Sequence, residues 1–372
     1  MSFDLFCRVV DNFGDAGVCW RLARRLAALG QSVRLWIDRP EVLARLLPAL
    51  DAQAAVQTLD GVQISAWDRA GQARPPRGGV VIEAFACALP PAFEAAMAGR
   101  DCLWINLEYL SAEPWVEGCH GLPSPQANGV PKFFFFPGFT PATGGLLREP
   151  DLLARHEAAQ AQDRGERLRA LTGRADALPP ADDDALTVLL FCYPDAPLAG
   201  LQAALAGLER PVRLLSPGDR PPAALRDQGG LRIVSIPFVP QARFDELLGC
   251  CDLNFVRGED SLVRALWAGS PLVWQIYRQA EDAHLDKLEA WLDRARWPAP
   301  AAELIRSWNR LDDAAVARAL PAALAEPAWS DWRARSRTWC AELADRPDLG
   351  QDLLDFCLRN RPHGAPSVRI YS

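Results

Sequence analysis

Two kinds of apolar spacing alternate along this chain. Short, mostly apolar runs such as Phe3-Asp4-Leu5-Phe6-Cys7-Arg8-Val9-Val10 read as largely buried strands, whereas Val18, Leu22, Leu26 and Leu29 recur at helical spacing until Gly30 stops the helix. The rhythm continues through strands at 32–37, 80–85 and 102–107. It resumes at 186–191, 212–215, 231–236, 253–256 and 272–277. Strand, crossover and strand in succession predict parallel sheets covered by helices. Two such series predict two domains, 1–150 and 185–354, joined by a linker at 151–184. That linker runs from charged, alanine-rich helix into Leu178-Pro179-Pro180-Ala181-Asp182-Asp183-Asp184. From about Ser330 the chain reads as helical, and 355–372 is a candidate to pack back on the first domain. Ligands of open α/β sheets settle beyond the carboxyl ends of strands, so chemistry is sought there.

The length of 372 residues and a 49% hydrophobic content suffice for two cores. A formal charge of -7 argues against direct nucleic-acid binding, which needs a basic stripe, and favours a basic protein surface as partner. No run approaches a membrane span and the first residues lack a signal-peptide pattern, so a cytoplasmic protein without membrane contact is expected. Ten scattered cysteines, with no CxxC spacing, read as reduced core thiols. The four histidines show no metal-ligand spacing, and Asp182-Asp183-Asp184 reads as a solvated charge run. No metal is expected.

Two strand ends carry the candidate chemistry. The first is Asp11-Asn12-Phe13-Gly14-Asp15-Ala16-Gly17, which places two acids where a Rossmann-type unit usually places phosphate. Gly14 and Gly17 allow close approach of backbone, but neither the dinucleotide glycine fingerprint nor a phosphate-loop lysine is present. An aspartate at a helix start ordinarily caps it. Two aspartates four apart across a glycine turn, kept ionised by helix-start N–H groups, can also accept a proton or grip a guanidinium. The second is Arg257-Gly258-Glu259-Asp260-Ser261, where a helix start beside Arg257 suits a diphosphate and Glu259 or Asp260 suits sugar hydroxyls. Phe238, Gln241 and Phe244, with Phe191 and Tyr193 at another strand end, offer rings and an amide to a base. Core packing and ordinary capping are the structural alternatives for all of these.

These residues resemble one family, the bacterial protein-arginine rhamnosyltransferases that modify elongation factor P (EarP). The resemblance runs through Val10–Asp15 with Gly17–Ala23, Asn106–Glu113, Phe136–Thr140 with Thr143–Leu147, Asn254–Ser261 and Trp274–Tyr277. Ala16 stands where the family usually carries a larger aliphatic residue. The resemblance implies an α/β GT-B architecture, two facing Rossmann-like domains with an interdomain cleft. It implies inverting transfer of L-rhamnose from dTDP-β-L-rhamnose to an arginine of elongation factor P, activating that factor for relief of polyproline ribosome stalling, with no cofactor or metal. Carried onto this chain, Asp15 is the leading base, Asp11 its partner and Glu259 a second essential acid. Donor contacts fall to Phe13, Gly14, Phe191, Tyr193, Phe238, Gln241, Phe244, Arg257, Gly258, Glu259, Asp260 and Ser261. The alternatives are a GT-B enzyme with another nucleotide sugar or acceptor, and a non-catalytic nucleotide-binding protein in which the aspartates merely cap.

Overall fold

The computed structural model describes residues 1–11, 13–173 and 184–361. Asn12, most of the expected linker tail with Asp182 and Asp183, His363 and the end of the chain lie outside the described residues. Contacts divide the chain into two units: Met1–Arg148 together with the chain from Pro347 onward, and Glu149–Arg346.

Unit 1 runs β1 (Ser2–Cys7), α1 (Phe13–Ala28), β2 (Ser32–Ile37), α2 (Pro40–Leu46), β3 (Val56–Leu59), β4 (Val62–Ala66), β5 (Val80–Ala84), α3 (Pro91–Met97), β6 (Leu103–Leu107), α4 (Trp115–Cys119), β7 (Pro123–Ser124) and β8 (Lys132–Phe135). These strands form one sheet in the order β3-β4-β2-β1-β5-β6-β8-β7. β1 lies parallel to both β2 and β5, so the direction of winding reverses between β1 and β5. Its core gathers Phe6, Trp36, Phe93, Met97 and Trp104, with Phe6 4.7 Å from Phe93 and 5.9 Å from Trp36 between ring centres. Beside it the buried carboxylate of Asp4 is fully satisfied, accepting from Arg34 at 2.6 and 2.7 Å and from the Trp36 indole at 2.9 Å.

Unit 2 runs α5 (Leu152–Gln160), α6 (Arg164–Thr172), β9 (Leu186–Leu190), α7 (Leu198–Ala206), β10 (Val212–Pro217), β11 (Leu231–Ile236), α8 (Gln241–Leu248), β12 (Leu253–Arg257), α9 (Gly258–Ala268), β13 (Leu272–Gln275), α10 (Ala283–Ala295), α11 (Ala299–Asn309), α12 (Asp313–Leu324) and α13 (Ala328–Ala344). Its sheet is parallel throughout, in the order β11-β10-β9-β12-β13, with the reversal between β9 and β12. The partition assigns α5 and α6, expected as linker, to unit 2. The Arg164 guanidinium binds Asp252 at 2.8 and 2.9 Å and donates to the Cys250 carbonyl at 2.7 Å, which anchors α6 ahead of β12.

The chain returns to unit 1 at Pro347, eight residues before the expected tail, and forms α14 (Leu349–Arg359). Asp348 caps α14 through Gly350 N–H at 2.9 Å and also takes Arg25 at 2.8 and 3.0 Å. Phe356 then packs edge-on against Phe133 and Phe135 of β8.

An ion triad centred on the buried Arg264 sets the spacing of α8 and α9. Arg264, fully buried, holds Asp245 of α8 through two bonds of 2.6 and 2.8 Å and Glu149 at 2.7 Å. Removing one partner of such a pair strands a buried charge. Asp245→Ala should therefore cost about 3–5 kcal/mol of stability in denaturant unfolding, and a loss within ~0.5 kcal/mol, ordinary for a surface change, would show that the triad does not hold the two helices.

Candidate active site

Both winding reversals coincide with the candidate residues, which is where the topology of each sheet opens a crevice. In unit 1 the turn after β1 is held by two acids. Asp38, just past β2, accepts from Val9 N–H at 2.9 Å, and Asp15 Oδ2 accepts from Val10 and Asp11 N–H at 2.7 and 2.8 Å. Asp15 reaches back from the first turn of α1, as the acidic member of a capping box does. These consecutive N–H donors are thus occupied by carboxylates, which explains physically why the turn carries acids in place of a phosphate cradle. Gly14 closes it, its N–H donating to Asp11 C=O at 2.7 Å.

Asp15 is only 2% exposed, and the phenol of Tyr109, two residues past β6, lies 3.4 Å from its Oδ1. Burial pushes the Asp15 carboxyl above its ordinary value. That effect outweighs the lowering by Val10 N–H, Asp11 N–H and the phenol, and Asp38 adds to the rise. The N–H donors expected at this turn are present and lower the proton affinity of Asp15, and burial opposes them with the larger effect. Asp11 is half-buried beside Gly14.

Neither Tyr109 nor Phe85 was singled out from sequence. Their rings stack at 4.3 Å with an interplanar angle of 10°. Phe85, Ala86 and Ala88 follow β5 with φ of 58°, 51° and 52°, left-handed values that cost non-glycine residues about 1 kcal/mol or more each. Strain of this kind gathers where a fold must aim a side chain. The signals available in the sequence were that both residues follow a strand end and that Tyr109 lies within the family-like segment Asn106–Glu113.

In unit 2, Arg257 ends β12 with its guanidinium over the rings of Phe191 (4.6 Å) and Tyr193 (4.9 Å), donating to Cys192 C=O at 3.0 Å. Gly258 (φ 63°) takes the left-handed conformation that turns β12 directly into α9. Ser261 Oγ accepts from Arg257 N–H and donates to Arg257 C=O, so the hydroxyl is spent on the turn. Asp260 accepts from Gln241 at 3.1 Å, and Phe244 meets Phe191 edge-on at 5.7 Å. Phe238 is half-buried in the loop before α8. Glu259 pairs with Lys287 at 3.0 Å, a partner that no motif indicated, and Gln275 accepts from Tyr193 N–H at 2.8 Å.

The structure thus joins Phe191, Tyr193, Arg257 and Phe244 in one cluster and Gln241 with Asp260 in contact. Asp11, Phe13, Gly14 and Asp15 share the unit 1 turn. A cavity of about 430 Å³ in unit 2, bordered by His156, Arg164, Cys250 and Arg337, includes none of the residues expected from sequence. Among the described residues no group of three His, Cys, Asp or Glu side chains is arranged to hold a metal, and no helix is long and apolar enough to cross a membrane.

The family model for elongation factor P (EF-P) rhamnosyltransferase EarP matches residues 3–358. The chain belongs to the EarP family. It is 45% identical to the protein-arginine rhamnosyltransferase of Pseudomonas aeruginosa and 46% identical to that of Pseudomonas putida, covering 95% of this chain and 98% of each relative. A solved structure described as the structural basis for EarP-mediated arginine glycosylation of translation elongation factor EF-P aligns with a TM-score of 0.64 at 32% identity, over 96% of this chain and 99% of that one. The spinosyn rhamnosyltransferase SpnG shares the fold, with a TM-score of 0.55 at 15% identity over 97% and 100% of the two chains. The EarP chain described here is therefore a glycosyltransferase with the two Rossmann-like domains of the GT-B fold.

Two outcomes test the unit 1 turn. Because the folded Asp15 carboxyl keeps its proton to higher pH than the unfolded one, the native state binds more protons between the two values and stability falls as pH rises through that window. Asp15→Asn should accordingly raise Tm at pH 7, with the gain vanishing below about pH 4, the ordinary aspartate range; a lower Tm at pH 7 would contradict the burial effect. A Cβ at Gly14 would lie 2.6 Å from Asp11 Oδ2, the movable end of a side chain. Gly14→Ala should displace that carboxylate without unfolding, cutting the transfer rate by about 10- to 100-fold, the scale of a misplaced group, and a wild-type rate would remove Asp11 from the site.

Proposed function

We propose that the chain transfers L-rhamnose from dTDP-β-L-rhamnose to an arginine side chain of translation elongation factor P, with inversion at the anomeric carbon. The observation that carries this reading is the Asp15 carboxylate, buried and satisfied at one oxygen by backbone, with the other directed to a phenol. Family membership and the relatives' names support rhamnose as the sugar and an arginine of elongation factor P as the acceptor.

The chemistry explains why acids are required. A guanidinium is protonated at physiological pH and its lone pairs are delocalised, so it attacks only when a carboxylate localises its charge and removes a proton. Asp15 accepts the proton from a terminal nitrogen, and Asp11 pairs with the guanidinium before that transfer and with the positive charge restored as the new bond forms. That nitrogen's electron pair forms the bond to the rhamnose anomeric carbon as the carbon–oxygen bond to dTDP breaks. The base lies among Phe191, Phe238 and Phe244, with Gln241 and Tyr193 reading its edge. Arg257, Gly258 and the first turn of α9 face the diphosphate, and positive potential there stabilises the leaving group. Asp260 and Ser261 line the ribose side. Glu259, held by Lys287, binds the sugar hydroxyls.

Incubation with dTDP-β-L-rhamnose and the host's elongation factor P should add one deoxyhexose mass to a single arginine. Asp15→Asn should lower the rate by about 10²–10⁴-fold, the usual contribution of a general base, while the fold persists. No mass addition by the wild-type chain with the cognate pair would reject the reading.

A further inference from the structure

The oxygens of Asp15 are not equivalent. Oδ2 is engaged by two backbone N–H groups, whereas the hydrogen-bond partner of Oδ1 is the Tyr109 phenol, at a long 3.4 Å. Oδ1 is therefore the oxygen with capacity to accept a proton from substrate. What sets the phenol is also visible. Phe85 stacks on the Tyr109 ring, its N–H donates to Leu107 C=O at 2.7 Å, and the next N–H, of Ala86, donates to Asn106 Oδ1 at 3.3 Å. The left-handed turn at Phe85, Ala86 and Ala88 is thereby tied to β6, the strand that delivers Tyr109.

We propose that Tyr109 is a positioning residue for this reaction: braced by the Phe85 ring, its phenol fixes the Asp15 rotamer and presents Oδ1 to the acceptor guanidinium. The inference rests on the reading of Asp15 as the base. A long phenol contact orients the carboxylate without quenching it, and yields when a charged donor arrives. The other ionisable groups acting on or near Asp15 are Asp38 beyond β2 and the thiols of Cys7 on β1 and Cys19 on α1; the hydrogen bond with Cys19 and then burial push the Cys7 thiol up, and burial pushes up that of Cys19. Among the groups around Asp15, the phenol is the side-chain donor that lowers its proton affinity.

Tyr109→Phe keeps the ring and its stack while deleting the hydroxyl. Measured on the full-length enzyme with melting temperature as a folding control, it should reduce the single-turnover rate about tenfold, leave KM for donor and for elongation factor P within about twofold, and move the acid limb of the rate profile to higher pH. Phe85→Leu, which retains the phenol but frees its ring, should lower the rate with the same unchanged KM values. A wild-type rate and pH profile for Tyr109→Phe, with Asp15→Asn inactive, would overturn the positioning role alone. A slower Tyr109→Phe enzyme with an unmoved acid limb would do the same, because the effect would not pass through Asp15. An active Asp15→Asn enzyme would instead overturn the assignment of the base, and this inference with it.

Discussion

The unit 1 site depends on one constraint: a carboxylate is kept inside the protein at a point where backbone donors satisfy only half of it. Asp15 closes the turn after β1 by taking two N–H groups on Oδ2, and the same burial raises its proton affinity. Structure and chemistry share a side chain. On the proposed reading of Asp15 as the base, full solvation would make it a weaker one, and full satisfaction would leave no oxygen for substrate. The strained residues after β5 adjoin the same arrangement, since Phe85 among them stacks on the ring of Tyr109.

Unit 2 solves the opposite electrostatic problem. There a cation is held over aromatic rings at a strand end, where Arg257 lies on Phe191 and Tyr193 and is tied to backbone at Cys192. A planar guanidinium suits this position because it stacks and still offers donors at its edge. The Arg264 triad beneath fixes α8 against α9, and these helices begin with Gln241 and with Gly258-Glu259-Asp260. An ion cluster centred on the buried Arg264 thus supports the geometry of the residues that begin α8 and α9.

The strand-to-helix switch at Asp11–Gly17 was legible because apolar spacing changes period there and two acids interrupt an otherwise ordinary turn. The same holds at Arg257–Ser261. Tyr109 was not legible as a partner of Asp15, since the contact spans 94 residues and follows from strand order, with β5 between β1 and β6. Lys287 was hidden for a similar reason, lying on α10 well beyond Glu259. The unit boundary escaped the spacing rules too. α5 and α6 are largely polar with few buried apolar residues, Leu152, Leu168 and Leu171 among them, and long-range pairs such as Arg164–Asp252, which no local pattern shows, join them to unit 2. The direction of the Asp15 shift required knowing its burial, and a local sequence shows only the nearby helix start.

The proton affinity of Asp15 is therefore the quantity to measure, by carboxyl-carbon NMR titration of the full-length protein with Asp15→Asn used to assign the signal. The account predicts a resonance titrating clearly above about 3.9, the ordinary aspartate value. Titration at or below that value would mean that the turn's N–H donors outweigh burial, and would contradict the account.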